Sequence, residues 1–386
     1  MISRRHLLAT AAATPFLAAL PGALARAAAP ARVLVLLELH GGNDGLNTLV
    51  PLGDPAYARA RPTLAVPRDQ VLPLDERLGL HPALAPLMPL WQARELTVAL
   101  GVGYAPPNRS HFRSIEIWDS GSGADDAPRE GWLHRVVAEA GAPPGFAAQG
   151  IVLGGGEGPL AGTAFSPVVL GDPRQLGEAA RLPTAVPGDA VNPALAHILA
   201  TRTRLRGAAL EIERHVAAAP ALRTAFPKTA LGSQLQRAAA LIAAGVPASV
   251  VKLRHGGYDT HAQQPDRHAT LLAELAEGLA AFRAALLEGG AWRRTLVATY
   301  SEFGRRVAEN ASGGTDHGAA APHFLLGGAL RGGFLGVQPP LDDLDNGDLR
   351  PTLDFRRLYA CLAQDWLGLP PAPAALGRHE PLALLG

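Results

Sequence analysis

The sequence predicts an α/β protein with a mainly parallel central sheet covered by helices on both faces. Two observations predict this fold class. Short apolar runs rich in branched residues alternate along the chain with longer segments whose leucines recur at helical spacing. Several of the short runs end abruptly in glycine-rich polar loops, which is typical of buried strands in a parallel sheet.

The stretch Val33–Asn47 is the part around which the rest of the chain is organised. Val33–Leu39 is a continuous apolar run that predicts a strand buried on both faces, and the run breaks at a His-Gly-Gly-Asn-Asp loop. In a parallel sheet, ligands bind beyond the carboxyl ends of the strands. The polar loop after Leu39 is therefore placed for chemistry, although a simple turn between strand and helix is the alternative.

The remaining elements follow in chain order. The further predicted strands are Leu96–Val102, Gly150–Leu153, Ala248–Leu253 and Thr295–Tyr300, and Phe324–Leu326 is a last apolar run. The predicted helices are Ala83–Gln92, Gly131–Ala140, Ala194–Ala218, Leu231–Ala244, Asp266–Glu288 and Asp354–Trp366.

Residues 1–27 predict an export signal. Arg4 and Arg5 form a twin-arginine pair before an alanine-rich apolar segment, and Ala25-Arg26-Ala27 supplies a small-x-small cleavage site. We therefore expect a periplasmic or secreted protein that meets the twin-arginine translocase during export, with an uncleaved N-terminal anchor as the alternative. Residues 31–386 predict one large domain, with a loop-rich insertion rich in Pro and Gly at about 155–192.

Composition excludes several classes of protein. The formal net charge is +1 and no basic run is interleaved with aromatic residues, so we expect no nucleic-acid partner. Cys361 is the only cysteine, which excludes an intramolecular disulfide. No second apolar segment is long enough to span a bilayer after the signal is removed, and no Gly-x-Ser-x-Gly elbow or dinucleotide fingerprint is present.

Asp, Glu or His residues follow four of the predicted strands, and a fifth such cluster, Asp316 and His317, lies in a glycine-rich loop before the last apolar run. Asp, Glu and His together suit a divalent metal with mixed oxygen and nitrogen ligands, and parallel strands would bring their carboxyl ends to one edge. The predicted metal ligands are His40, Asp44, Asp259, His261, Glu302, Asp316 and His317. We expect one or two ions, zinc first, with manganese or iron as alternatives.

The loop after Val102 supplies the predicted catalytic group, in which Ser110 is the candidate nucleophile and His111 lies beside it. Arg109 is positioned in sequence to hold an anionic substrate group. Structural alternatives stay open for several of these residues: Ser110 as a helix cap, His111 as a packing residue, Asp316 as a turn former, and Glu302 as an ion-pair partner of Arg305 or Arg306.

Five ordered motifs resemble an exported bacterial family known as domain of unknown function 1501. The motifs are HGGNDGLN at His40–Asn47, RSHF at Arg109–Phe112, GYDTHAQQ at Gly257–Gln264, SEFGR at Ser301–Arg305 and GTDHG at Gly314–Gly318. The resemblance extends over essentially the whole chain after the signal. It implies an alkaline phosphatase-like fold, a three-layer α/β/α sandwich with a metal site at the carboxyl edge of the sheet.

The resemblance also implies roles by position. Asp44 is similar to the metal-binding aspartate after the first strand, Ser110 to the nucleophile, and Asp259 with His261 to the ligand pair of one metal. Glu302 stands where an Asp-His pair is common, and Asp316-His317 where a late histidine ligand is expected.

Two hypotheses about function follow. The first is an exported metal-dependent hydrolase of phosphate or sulfate esters, which acts on a small-molecule or polymer substrate. The second is a non-catalytic envelope or polymer-binding protein that keeps the fold and a structural or vestigial metal site. The presence of Ser110 together with the ligand residues favours the first hypothesis, whereas Glu302 in place of an Asp-His pair favours the second.

Overall fold

A nine-stranded sheet runs through the described part of the chain in this computed structural model. The strands, in chain order, are β1 Val33–His40, β2 Leu49–Pro51, β3 Leu72–Pro73, β4 Leu78–Leu80, β5 Leu96–Gly103, β6 Gln149–Val152, β7 Ser166–Val169, β8 Val250–Gly256, β9 Thr295–Tyr300, β10 Ala321–Gly327, β11 Gly333–Leu335, β12 Leu344–Asp345, β13 Asp348–Leu349 and β14 Leu353–Asp354. The central sheet has the order β11-β5-β10-β9-β1-β8-β6-β7, and β14 pairs with β5. Two small sheets, β2-β4-β3 and β12-β13, lie outside it.

One strand of the central sheet runs against the others. The pairs β9-β1, β1-β8, β8-β6, β6-β7 and β11-β5 are parallel, whereas β10 is antiparallel to both of its neighbours, β5 and β9. The start of β10 therefore lies at the edge where β1, β5, β8 and β9 end. This direction brings the loop before β10 to the same edge as the loops that follow the parallel strands.

Helices cover both faces of the sheet. The α-helices are Gly45–Thr48, Pro55–Ala60, Met88–Gln92, His111–Ser120, Trp132–Ala140, Pro193–Ala218, Ala230–Ala243, Gln264–Glu288, Phe355–Cys361 and Pro373–Leu376. The 3₁₀-helices are Pro82–Leu87, Gly158–Leu160 and Trp292–Arg294, and Leu362–Trp366 is a π-helical turn.

The side chains of β1 alternate between two hydrophobic cores, as the period of two in a strand requires. Leu37 and Leu39 pack in one core with the helix Gln264–Glu288. Leu34 and Leu36 pack in the other core, which includes residues of His111–Ser120 and Phe355–Cys361. A strand buried on both faces between two helical layers confirms the predicted three-layer α/β/α architecture with a mainly parallel sheet.

Two predicted helices differ from the structure. The segment predicted as one helix, Ala83–Gln92, is a 3₁₀-helix followed by a short α-helix, because Pro86 and Pro89 cannot donate backbone hydrogen bonds. The second predicted helix, Asp354–Trp366, is α-helical only over Phe355–Cys361. The rest of it, Leu362–Trp366, is the π-helical turn. The helix His111–Ser120 was not predicted.

The structure describes residues 31–143, 146–147, 149–170, 181, 193–380 and 382–386, and residues 31–386 form one compact unit. The predicted signal at 1–27 and most of the predicted insertion beyond residue 170 lie outside the described residues. Within the described ranges, no helix has both the length and the apolarity needed to cross a membrane.

Candidate metal centre at the carboxyl edge of the sheet

Three histidines and one aspartate meet where β5, β8 and β9 end and β10 begins. His111 opens the helix after β5, Asp259 and His261 follow β8, and His317 precedes β10. The three loops that carry these residues are far apart in sequence, and the direction of each strand brings them together. The loop before β10 reaches the group because β10 is antiparallel.

His317 directs its Nε2 atom into the group. Its Nδ1 lies 2.8 Å from the carbonyl oxygen of Arg109, which can only accept, so Nδ1 carries the proton and Nε2 keeps its lone pair. That Nε2 is 2.9 Å from His261 Nε2 and 3.3 Å from Asp259 Oδ1. Partial burial lowers the pKa of His317, which favours the neutral imidazole.

His261 is oriented like His317, with its Nδ1 held by an acceptor and its Nε2 directed towards Asp259. Its Nδ1 lies 3.1 Å from Asp316 Oδ1, and its Nε2 lies 3.0 Å from Asp259 Oδ1. Asp316 therefore lies behind His261 and orients it. A hydrogen bond from Asn310 lowers the pKa of Asp316, with a further contribution from His261, so this carboxylate is charged and suited to accept the Nδ1 proton.

His111 is held by the buried carboxylate of Glu302. Glu302 is 0% exposed, and its Oε1 accepts from His111 Nδ1 at 2.9 Å and from the backbone N–H of Gly41 at 2.8 Å. His111 Nε2 lies 3.4 Å from Asp259 Oδ2 and is a buried nitrogen with no hydrogen-bond partner among the described residues. Glu302 forms an ion pair with neither Arg305 nor Arg306, so the alternative role considered for it, as an ion-pair partner of one of these arginines, does not apply.

Asp259 is the carboxylate on which the three Nε2 atoms converge. Its Oδ1 accepts from Arg305 Nη2 at 2.6 Å. Partial burial raises the pKa of Asp259, but the Arg305 guanidinium outweighs burial and lowers that pKa to about 2. Asp259 is thus ionised at any physiological pH.

The donor set fits a divalent metal ion such as zinc. Ligand atoms about 2.0–2.2 Å from a tetrahedral zinc lie about 3.3 Å apart, close to the 2.9–3.4 Å that separate Asp259 from the nearest Nε2 atoms and His261 from His317. His111, Asp259 and His317 each offer a ligand atom within 4.8 Å of the other two. Each histidine also has its second ring nitrogen fixed by a carboxylate or a carbonyl, which is the usual support of metal-binding imidazoles.

Asp44 is not brought into this group. It is 0% exposed and accepts from Arg61 Nη1 at 2.6 Å, from the Leu46 backbone N–H at 3.2 Å and from the Gln264 side chain. Burial raises the pKa of Asp44, and the Arg61 guanidinium outweighs this effect, so the net shift is downward. The predicted ligand is here a buried partner of an arginine.

This Asp44 network holds the loops that carry the site. Gln264 Oε1 accepts from Thr260 Oγ1 at 3.0 Å and from Thr315 Oγ1 at 2.7 Å. Thr260 lies between Asp259 and His261, and Thr315 precedes Asp316 and His317. The network therefore fixes the spacing of the loops that carry Asp259, His261 and His317.

The other predicted residues lie around the group. His40 Nδ1 is 3.0 Å from Glu38 Oε1 and 3.7 Å from Glu302 Oε1, but it lacks hydrogen-bond geometry to either. Ser110 is exposed at the N-cap of the helix His111–Ser120, and its side chain makes no capping hydrogen bond. Arg109 directs its guanidinium to the buried carboxylate of Asp348.

Arg305 is a site residue that is not among the residues predicted from the sequence to form the site. Its guanidinium is buried and donates to the carbonyls of Gly41, Gly42, Tyr258 and Thr315 as well as to Asp259. It joins the loops after β1 and β8 to the loop before β10. The sequence signals are its place in the polar loop after β9 and its position at the end of the SEFGR motif, Ser301–Arg305.

A family model matches the second half of the chain. Residues 195–355 match the family described as "Protein of unknown function (DUF1501)", and this segment contains Asp259, His261 and His317. The predicted family resemblance is confirmed over these residues, whereas the motifs at His40–Asn47 and Arg109–Phe112 lie outside the match. No curated protein matches the chain in sequence.

Similar solved structures have low identity. The lipoteichoic acid synthase LtaP from Listeria monocytogenes is 10% identical, with 90% of this chain and 74% of that chain covered and a TM-score of 0.40. A protein in the alkaline phosphatase superfamily from Vibrio parahaemolyticus is 11% identical, with 91% and 69% covered and a TM-score of 0.36. The phosphonate monoester hydrolase SpPMH from Silicibacter pomeroyi is 13% identical, with 91% and 77% covered and a TM-score of 0.35. Scores this low support no inference about activity.

Proposed function

We propose that this chain, whose residues 195–355 match DUF1501, is an exported metal-dependent hydrolase of phosphate or sulfate esters. One observation carries the proposal: three imidazole Nε2 atoms, each with its Nδ1 held by an acceptor, converge on the carboxylate of Asp259. An arrangement of this kind leaves nitrogen lone pairs facing one another, which is costly unless a cation or a proton lies between them.

His111, Asp259, His261 and His317 would hold the ion, with zinc first and manganese or iron as alternatives. When bound, the ion would polarise an ester oxygen and lower the pKa of a hydroxyl next to it. Glu302, Asp316 and the Arg109 carbonyl would keep the three rings in their ligating orientation. Arg305 would hold Asp259 ionised and in place.

Ser110 is the residue proposed to supply the nucleophile. Its Oγ makes no hydrogen bond to any residue that the structure describes, so the hydroxyl is not used as a helix cap. The neighbouring residues are tied to the centre on both sides, because the Arg109 carbonyl accepts from His317 and the His111 ring faces Asp259. Ser110 therefore lies within one residue of two contacts of the centre.

Export and location form part of the proposal. The twin arginines at Arg4 and Arg5 and the small-residue site at Ala25-Arg26-Ala27 support passage through the twin-arginine translocase into the periplasm or the medium. The substrate is proposed to be a small-molecule or polymer ester. The scattered arginines and the net charge of +1 support the absence of a nucleic-acid partner.

The test combines metal analysis with turnover on the exported full chain, purified without a chelator. The wild type should carry about one zinc, manganese or iron per chain, and the Asp259→Ala/His261→Ala variant should lose it. Ser110→Ala should keep the metal and lose hydrolysis of aryl phosphate or sulfate esters by roughly 10³-fold or more. Asp266→Ala and Ser233→Ala, both exposed and outside the centre, are the matched controls. A metal-free wild type, with no change in melting temperature when these metals are added, would contradict the proposal.

One observation favours the second candidate, a binding protein with a structural or vestigial site. Arg305 already neutralises Asp259 through a 2.6 Å contact, so this carboxylate has a cationic partner without a metal. A wild type that binds metal but hydrolyses no phosphate or sulfate ester, with a Ser110→Ala variant that behaves identically, would favour this second candidate.

A further inference from the structure

Two arginines share one buried carboxylate beside the candidate metal centre. Asp348, in β13, is 1% exposed, and its Oδ2 accepts from Arg109 Nε at 2.8 Å and from Arg109 Nη2. Its Oδ1 lies 3.7 Å from Arg306 Nε. We call Arg109, Arg306 and Asp348 the arginine clamp.

The arginine clamp has donors to spare. The Arg306 side chain makes no hydrogen bond to any described residue, and its one ion pair within 4 Å among these residues is the 3.7 Å approach to Asp348. It also interacts electrostatically with Asp316. On the acceptor side, Asp348 Oδ1 is a buried oxygen that accepts no hydrogen bond from the described residues, so the Arg306 donors are not used by Asp348. Two guanidiniums with one carboxylate leave a net charge of +1. The arginine side chains are 37% and 40% exposed, so solvent and ligands reach them.

The backbones of both arginines are part of the frame of the centre. The Arg109 carbonyl holds His317 Nδ1 at 2.8 Å, and the Arg306 N–H donates to the Asp316 carbonyl at 3.0 Å. The Arg306 carbonyl accepts from Arg61 Nη2 at 2.9 Å, which ties it to the Asp44 network. Neither guanidinium contacts His111, Asp259, His261 or His317, so the clamp flanks the centre rather than forming part of it.

We infer that the arginine clamp is a subsite for a second oxyanion group of the substrate, separate from the ester that reacts. Guanidinium forks match the paired oxygens of sulfate, phosphate and carboxylate groups. The Arg109 fork is held on Asp348 by hydrogen bonds, and the Arg306 fork lies near the same carboxylate with its donors, unused by the described residues, free for such a group. Asp348 keeps the two positive charges together and fixes the Arg109 fork. The incoming oxyanion takes the donors that Asp348 leaves open.

The subsite narrows the substrate class. If the metal centre acts on an ester as proposed, its preferred substrate carries a further anionic group near the scissile ester, as in multiply sulfated, multiply phosphorylated or carboxylated molecules. This specification rests on the proposed function, whereas anion binding by the clamp stands independently of it. Arg306 is the specificity-determining residue, and Asp348 is a positioning residue.

Calorimetric titration of the full chain with inorganic sulfate tests the subsite, at constant ionic strength maintained with chloride. The wild type is compared with Arg306→Gln and Arg350→Gln, after both variants are shown to have the metal content and the melting temperature of the wild type. Arg350 is the matched control, since it is also half-exposed and pairs with Asp343 near the same hairpin. We expect Arg306→Gln to weaken one sulfate site by at least about tenfold, and Arg350→Gln to match the wild type.

Two results overturn the inference: a wild type that binds no sulfate, or an Arg306→Gln variant that binds sulfate as the wild type does. Where an aryl ester is hydrolysed, a second comparison uses two esters that differ by one carboxylate on the ring. Arg306→Gln should raise KM by a larger factor for the carboxylated ester than for the ester without the carboxylate, with the larger change in KM rather than in kcat. A wild type that binds sulfate but hydrolyses no ester would reject the proposed function and keep the subsite. A wild type that hydrolyses the esters but binds no sulfate at the arginine clamp would reject the subsite alone.

Discussion

Replacing Asp44 by Asn tests whether this residue supports the fold or ligates a metal. Asp44 and Arg61 are both 0% exposed and lie 2.6 Å apart, and Asp44 also accepts from Gln264 and from the Leu46 backbone. An asparagine has the same shape but turns one acceptor into a donor, which faces either Arg61 and Gln264 together at the Oδ2 position or the Leu46 backbone N–H at the Oδ1 position. It leaves the Arg61 guanidinium buried without a counter-charge.

The expected cost is about 3–5 kcal/mol of the free energy of unfolding, the range for breaking one side of a buried ion pair. Urea denaturation followed by circular dichroism at neutral pH measures it. Asp54→Asn is the matched control. Asp54 also caps a short helix, with its Oδ1 2.8 Å from the Ala56 N–H, but it is partly exposed. Asparagine caps a helix about as well as aspartate, so this control should lose no more than about 0.5 kcal/mol.

Metal content separates the two roles of Asp44. Below the unfolding transition, the folded Asp44→Asn variant should keep the metal of the wild type, whereas Asp259→Asn should lose it. An Asp44→Asn variant with wild-type stability and no metal would refute the reasoning and restore Asp44 as a ligand.

Two further predictions concern charge and backbone at the same edge of the sheet. Burial raises the pKa of Glu38, but the Lys252 ammonium 2.8 Å away, together with the neighbouring His40 and Arg254, outweighs burial and lowers the pKa to about 2 from 4.5. Glu38 thus contributes stability that is complete above pH 4.5 and is lost as the pH falls towards 2. Glu38→Gln should be roughly 3 kcal/mol less stable at pH 7, and unfolding measured against pH should show this gap closing in acid; a gap independent of pH would contradict the sign. Gly41 has φ +116°, and a Cβ there would lie 2.4 Å from the Asp259 backbone nitrogen. Gly41→Ala should therefore weaken metal binding by about 10–100-fold in a competition titration, unlike Gly53→Ala, where no atom of the described residues lies within 4 Å of the added Cβ; equal affinities in the two variants would argue against this contact.

The fold was predictable because its signals are local. Apolar runs such as Thr295–Tyr300 mark strands whatever they pair with, and the helix Gln264–Glu288 repeats its leucines at helical spacing. The direction of β10 was not predictable, since strand polarity depends on which neighbours a strand pairs with. Proximity of His317 to the other ligand candidates required that direction.

The roles of the charged residues depended on partners far away in the chain. Arg109 and Asp348 are 239 residues apart, and nothing near either residue indicates the pairing. Asp44 has the residue type and the position of a metal ligand, but its carboxylate accepts a hydrogen bond from Arg61. The path of the loop that brings Arg61 to Asp44 is not indicated by the sequence. Glu302 likewise supports His111 from behind, which only the side-chain geometry distinguishes from ligation.

The antiparallel strand β10 also decides how the molecule is assembled. It is the strand through which β5 and β11 join β9, β1 and β8, so without it the sheet would be two separate pieces. One piece carries the His111 loop, and the other carries Asp259, His261 and Glu302. A cation held by both His111 and Asp259 would bind only when the two pieces are joined, so its binding would stabilise the complete sheet. The measured affinity for the cation would therefore depend on how cooperatively the two pieces fold.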